Sequence, residues 1–346
     1  MNGNILIKPS VQQKFDHVMQ SGRILFFSAP CGFGKTVVAN ALLRKWRTLC
    51  LRADAPDFSL QALPDEWDIL LIDDFQLLQE QETSQTLCEL IRANPARRFV
   101  FLSRGVPPAY LTAFQYTGLM TTLEPDDLLF DHEDIRNFFA SCKVAVTESE
   151  INGILKESIG YPLGVAITAR QMSDGKPFSP ELTAHTYREV FAYFEAAVYN
   201  RFDLPVRRLL LELSLFEDFD MEMVRMVSGD PRAGERMDWL LRHTTMLRYD
   251  SRERFHFWAG FRAFLLWEMD REYTEEKRKA LFSRGGLYYE LKEDYSSNTK
   301  SHDQTAEHIF EICRCARFAY LFPPKQFIEG EEYEDKDGVN QNLAPI

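Results

Sequence analysis

The sequence predicts an α/β unit with a parallel sheet flanked by helices, followed by a small helical unit and a winged-helix-like unit. Three observations predict it. Short apolar runs alternate with helical spacing over the first ~125 residues. The strand signal stops after Asp131, and a run of helices from Thr186 ends in one hairpin. The 346 residues leave room for roughly two to three domains at ~150 residues each. The expected divisions are 1–130, 131–180 and 181–270, then the start of a helical extension over 271–295 and an irregular tail over 296–346.

In the first unit, Arg23 to Ser28 reads as a buried strand and Thr36 to Trp46 as a helix with Val37, Ala41 and Leu42 on one side. Leu49 to Leu51, Asp68 to Ile72, Arg98 to Leu102 and Leu119 to Leu123 read as further strands, with a helix over Glu80 to Ala93. In the second unit, His132 to Cys142 is helical. Thr147-Glu148-Ser149-Glu150 is a capping box, whose side chains satisfy free backbone donors at a helix start. That helix should stop at Gly160, ahead of Pro162. Gly164 to Met172 is the next helix, and Ser173 to Pro180 reads as a linker. In the third unit, Met237 to His243 is helical, and the strands Met246 to Tyr249 and Arg254 to Trp258 flank a turn at Asp250 to Glu253. Thr274 to Glu293 is helical. From Pro323 to Ile346 there are six acids, two bases and little periodic apolar content, the pattern of a disordered tail.

Composition excludes several classes. With 45% hydrophobic and 27% charged residues the chain is an ordinary globular protein. Forty Lys and Arg against 52 Asp and Glu give a net charge of -12, a poor match to a nucleic-acid-binding surface. No apolar run approaches a membrane span, and the first residues lack a signal pattern, so a cytoplasmic location is expected. The six scattered cysteines read as free thiols. The group His302, His308, Cys313 and Cys315 fits no usual zinc spacing.

The chemistry is concentrated in three strand ends. Ala29-Pro30-Cys31-Gly32-Phe33-Gly34-Lys35-Thr36 matches the phosphate-binding P-loop, with Ala29 in place of the first Gly. Gly32 and Gly34 let the backbone curl so that its N–H groups face phosphate oxygens. The helix from Lys35 onward adds N-terminal donors, Lys35 reaches the outer phosphates, and the Thr36 hydroxyl ligates Mg²⁺. A Gly-rich turn with a chance Lys-Thr is the bland alternative; an apolar strand before and a helix after argue against it. Ile69-Leu70-Leu71-Ile72-Asp73-Asp74 sets two acids at the carboxyl edge of a buried strand, where parallel sheets bind ligands. Asp73 is the expected Mg²⁺ residue and Asp74 the residue that orients or deprotonates water. Phe99-Val100-Phe101-Leu102-Ser103-Arg104 brings Arg104 to the same edge, to sense the outer phosphate or simply to lie on the surface. Gly160-Tyr161-Pro162 alone reads as a helix end. The aromatic run Phe255-His256-Phe257-Trp258 reads as core, and the mixed charges around the hairpin favour internal packing over DNA reading.

Taken in order, "FFSAPCGFGKT", "ILLIDDF", "FVFLSR" and "GYP" resemble the STAND-class P-loop ATPases of MalT/LuxR-type bacterial transcription regulators, over about Ile7 to Asp294. Ala29 is usual in that family. The resemblance implies that the segment from Ala29 to Val37 binds the phosphates of ATP or ADP. It also implies that Thr36 and Asp73 hold Mg²⁺, that Asp74 and Lys35 act in catalysis, that Arg104 senses the nucleotide, and that Pro162 lies against adenine or ribose. It implies a switch that hydrolyses ATP slowly, self-associates when ATP-bound, and answers an inducer that no motif here names. The family's winged-helix unit usually presents a histidine to the nucleotide; the best match here is Trp258, with His256 two residues earlier. The stretch between the second strand and Asp73 is short. Family members continue into a helical-repeat sensor and a helix-turn-helix; helical spacing here decays after Tyr295, which reads as a truncated or frame-shifted product without direct DNA binding. Two other readings stay open: an AAA-like motor or loader ATPase, and a non-enzymatic nucleotide-binding module. Intact Lys35, Thr36, Asp73 and Asp74 argue against the second.

Overall fold

A computed structural model describes residues 5–61, 63–78 and 81–293. The expected tail over 296–346, with His302, His308, Cys313 and Cys315, lies outside the described residues.

The sheet has five parallel strands: β1 (Ile24–Ser28), β2 (Thr48–Arg52), β3 (Ile69–Asp73), β4 (Arg98–Ser103) and β5 (Met120–Leu123), in the order β2-β3-β4-β1-β5. β1 is an interior strand between β4 and β5, and it is wholly buried because its run of apolar residues is covered on both faces. On one face Leu25, Phe27, Leu71, Val100 and Leu102 pack with helices α1 (Pro9–Gln20) and α2 (Lys35–Leu42). On the other, Ile24, Phe26, Leu70, Ile72, Phe99 and Phe101 pack with α3 (Gln81–Ala93) and with Phe114 of α4 (Thr112–Tyr116). In-register pairing of Ser28 with Ser103, and of Arg52 with Asp73, aligns the carboxyl ends of these strands along one edge.

Two local readings change. α1 carries no motif, yet Pro9 starts it and Val11, Phe15 and Val18 recur on its buried face. α2 ends at Leu42 instead of running to Trp46. Beyond Leu43 every side chain to Trp46 is exposed, so nothing holds another turn against the sheet.

After α5 (Pro125–Leu128), the helices α6 (His132–Ser141), α7 (Glu148–Ser158) and α8 (Pro162–Ser173) share a separate core of Ile135, Phe139, Ile151, Ile154, Val165 and Ala169. The capping box at Thr147 forms: its hydroxyl accepts from Glu150 N at 3.2 Å, and Thr147 N donates to the Glu150 carboxylate at 2.7 Å. α7 ends through Ile159 and Gly160, both in the left-handed region. Gly160 is required twice over: its φ is +70°, and a Cβ there would overlap the Phe130 carbonyl.

α9 (Pro180–Ala197) packs on α8 and on α13 (Ala259–Glu272), and so bridges the helical unit to the last one. There α10 (Leu204–Ser214), α11 (Met221–Ser228) and α12 (Ala233–His243) lead into the antiparallel hairpin β6 (Leu247–Tyr249) and β7 (Phe255–Phe257). Phe219 adds a bridge to Phe255, and its ring packs on Phe255 and Phe257, so the hairpin turns its aromatic side inward. α14 (Glu275–Glu293) is pinned to it by Tyr288, whose hydroxyl contacts Asp220 and Arg254.

Gly160 and Gly175 separate close approach from backbone conformation. Both have positive φ, but a Cβ on Gly175 meets open space. Gly175→Ala is expected to cost about 1–2 kcal/mol, and Gly160→Ala clearly more, in urea unfolding midpoints. Equal losses would remove the steric argument.

Candidate functional site

The loop after β1 curls as its sequence requires, with φ of +75° at Gly32 and +78° at Gly34. Ala29 and Pro30 lie beneath it and both point carbonyls at Lys35, whose Nζ donates to each at 2.7 Å. Burial lowers the Lys35 pKa from 10.5 to about 8. The same burial pushes the Cys31 thiol up to about 11, leaving it a protonated, unreactive group at neutral pH.

The helical unit grips the loop at two successive carbonyls. The Tyr161 hydroxyl donates to Cys31 O at 3.0 Å, and Leu163 N donates to Gly32 O at 3.2 Å. This contact is a second reason for Gly32: a Cβ there would overlap the Tyr161 hydroxyl. Phe33 extends the contact to the third unit. Its ring lies 5.3 Å from Tyr161 and 5.3 Å from Trp258, and those two rings are 4.8 Å apart. Phe194 of α9 stacks on Tyr161 at 5.8 Å.

The acids occupy the neighbouring strand end. The Thr36 hydroxyl donates to Asp73 Oδ2 at 3.1 Å, while Asp73 Oδ1 accepts from Asp74 N at 2.8 Å. Asp74 has a φ of +52°, which turns its side chain from Asp73 towards β4. There Arg104 Nε lies 3.3 Å from Asp74 Oδ1. Gln76 clasps both: its Nε2 donates to Asp74 Oδ1 at 3.0 Å and its Oε1 accepts from Arg104 N at 2.9 Å. Arg104 also reaches the third unit. Its guanidinium donates to Ala197 O at 3.0 Å, and its own carbonyl accepts from Thr245 N at 2.8 Å.

A cleft of about 1270 Å³ joins these groups. Of the residues singled out from sequence, Cys31, Gly32, Phe33, Gly34, Lys35, Thr36 and Val37 line it, as do Asp73, Asp74, Arg104 and Pro162. Ala29 and Pro30 support it from below, while Trp258 stands behind Phe33 and does not line it. The roles of Tyr161 and Gln76 were not read from sequence. Tyr161 lay inside the Gly-Tyr-Pro signal, but a helix end explained that signal without it. Gln76 had no signal. Thr36 and Asp73 offer hard oxygens suited to Mg²⁺. Among the described residues no group of three or more His, Cys, Asp or Glu could hold a metal, so phosphate oxygens and water would complete the shell.

Lys35 generates a pH prediction. Between pH 8 and 10.5 the unfolded chain binds the Lys35 proton and the folded chain does not, so this group makes stability rise with pH there. The cost of burying the charge is fully present below pH 8. Lys35→Met is therefore expected to be more stable than the wild type at pH 7, with the gap closing towards pH 10.5, as read by urea midpoints across that range. A gap independent of pH would show that Lys35 is not held in this way.

Three comparisons bear on this geometry. The MalT winged helix domain profile matches residues 195–277. An HTH-type transcriptional regulator MalT from Serratia proteamaculans is 23% identical over 215 residues, 59% of this chain and 24% of that protein. The match thus spans about a quarter of the regulator's length. Among solved structures, a Walker-type ATPase of Pyrococcus abyssi superposes with a TM-score of 0.58 at 12% identity, over 75% of this chain and 96% of that one. A STAND protein with a tetratricopeptide repeat sensor from Pyrococcus horikoshii aligns over 90% of this chain and 48% of its own, at 13% identity and a TM-score of 0.37. Among the described residues no helix is long and apolar enough to cross a membrane. The chain has the P-loop NTPase fold, joined through a helical unit to a winged-helix domain of the MalT type, and resembles part of a MalT-type transcriptional regulator.

Proposed function

We propose that the chain is an ATP-binding signalling switch of the STAND type, which binds ATP or ADP with Mg²⁺ in the cleft, hydrolyses ATP slowly and self-associates in its ATP-bound form. The observation that carries the reading is the wiring of Arg104. One residue at the phosphate-sensing strand end holds Asp74, the last turn of α9 and the first residues of the hairpin segment.

The chain's own groups suit each step. Lys35 exchanges two loop carbonyls for phosphate oxygens, and its charged form gains what burial now costs it. The loop N–H groups and the start of α2 add donors. Thr36 and Asp73 would hold Mg²⁺, which would supply neutralisation of charge on the transferring oxygens. Asp74 orients water and accepts its proton once Arg104 turns to the phosphate and lifts its charge from the carboxylate, which Gln76 still holds in place at Oδ1. In the arrangement described, the acid and its sensor satisfy each other. That favours a resting switch over an AAA-like motor or loader, which would need the acid free on every turn. The acidic chain and inward-facing hairpin favour a packing role for the winged helix over direct DNA reading.

The test is to denature the purified chain, identify any released nucleotide, and measure ATP binding and turnover. Stoichiometric ADP or ATP is expected in the wild type and its loss in Lys35→Ala. Asp74→Asn should keep affinity within about threefold while hydrolysis falls by about 100-fold or more. Turnover of about one per second or faster would favour a motor. Absence of nucleotide together with no measurable ATP affinity would overturn the proposal.

A further inference from the structure

Behind the loop-gripping aromatics lies a second cavity of about 580 Å³, between α7, α8 and α9 on one side and β7–α13 on the other. Its volume and its place between two units are those of small-molecule sites. The rings of Tyr161, Phe178, Tyr187, Phe191, Phe257 and Trp258 wall it, with the hydroxyls of Thr168, Thr183 and Thr186 between them.

Five titratable side chains besides the tyrosines reach this wall. Arg262 is committed to the carbonyls of Ser214, Leu215 and Phe216 at the end of α10. His256 is paired with Asp250 at 2.8 Å. Lys156 and Glu217 are exposed at the rim. Glu157 is half-buried, forms no ion pair among the described residues, and its carboxylate accepts from the Tyr187 hydroxyl at 3.4 Å. The wall thus carries the Arg262 guanidinium, with its N–H groups directed to the α10 carbonyls, and, on the side of the aromatic rings of α9, the Glu157 carboxylate beside Tyr187; on that side the ring faces attract positive charge and the acid neutralises it.

We propose that this cavity is a second ligand site, taking a small organic cation with a flat apolar body, and that its occupancy is transmitted to the phosphate loop through Tyr161 and Trp258. Both rings belong to the cavity wall and both press on Phe33. Tyr161 in addition holds the Cys31 carbonyl. A ligand packed against these rings restricts their rotation, and the loop they clamp loses freedom with them.

The experiment titrates 2-naphthylmethylammonium and, as a control of the same ring size, 2-naphthylacetate into the full chain without nucleotide, by calorimetry. The cation is expected to bind with a Kd below about 1 mM and at least about tenfold more tightly than the anion. Glu157→Gln should weaken the cation about tenfold, and Thr183→Trp, which fills the cavity, should abolish binding while circular dichroism stays native. Hydrogen exchange of the amides from Ala29 to Thr36 should slow when the cation is bound. No binding of the cation, equal binding of the anion, or unchanged affinity in Glu157→Gln overturns the site. Unchanged loop exchange with the cation bound overturns the coupling. Both are read without nucleotide, so their failure is separate from that of the nucleotide reading.

Discussion

The arrangement depends on what holds the phosphate loop from behind. A P-loop needs two residues with positive φ, and its carbonyls then point away from the phosphates and need partners of their own. Here Lys35 takes two of them, and the helical unit takes the next two through Tyr161 and Leu163. The loop is therefore shaped by an element about 130 residues away in sequence. Tyr161 can do this only because Gly32 leaves room for its hydroxyl, and only because Gly160 ends α7 tightly enough to bring it there.

Magnitudes decide whether such a clamp can also move. Each aromatic pair among Phe33, Tyr161, Trp258 and Phe194 contributes about 0.5–1.5 kcal/mol beyond its burial, and the Tyr161 hydrogen bond about 1 kcal/mol. The sum is about 3–7 kcal/mol, above the about 1–3 kcal/mol of typical allosteric coupling, so a loosening of part of the clamp is enough to couple the units. A wholly aliphatic interface of similar area would lack the directional hydroxyl, and so would not report where the loop backbone stands.

Much of this was legible in the sequence. Apolar strands that end in Ser28, Asp73 and Arg104 fix which residues meet, because parallel strands bring their carboxyl ends to one edge. Turn and cap chemistry is local, so the Thr147 box and the Gly160 stop could be read from a few residues. What was not legible is set by distance. Nothing in the sequence around Gln76 marks it as the clasp between Asp74 and Arg104, since its role follows from the positive φ at Asp74 two residues before. α1 has apolar spacing without a motif, and α2 stops early because the sheet offers no surface beyond Leu43.

Trp258 shows how a site can keep its wiring while changing its contact. A residue that touches a bound phosphate makes domain closure depend on the ligand's charge. Trp258 instead touches Phe33, on the opposite side of the loop from the cleft. Closure of the winged helix onto the loop is then apolar, independent of salt and available without nucleotide. Polar links between the same two units run through Arg104, by way of Ala197 and Thr245, and through the Arg248–Asp126 ion pair further out. Two kinds of contact are thereby separated: the aromatic wall holds the loop from behind, and Arg104 ties the strand end beside the loop to the third unit. A change at Trp258 alters the first and leaves the second intact, so a tryptophan at this position leaves the polar wiring proposed for the switch in place.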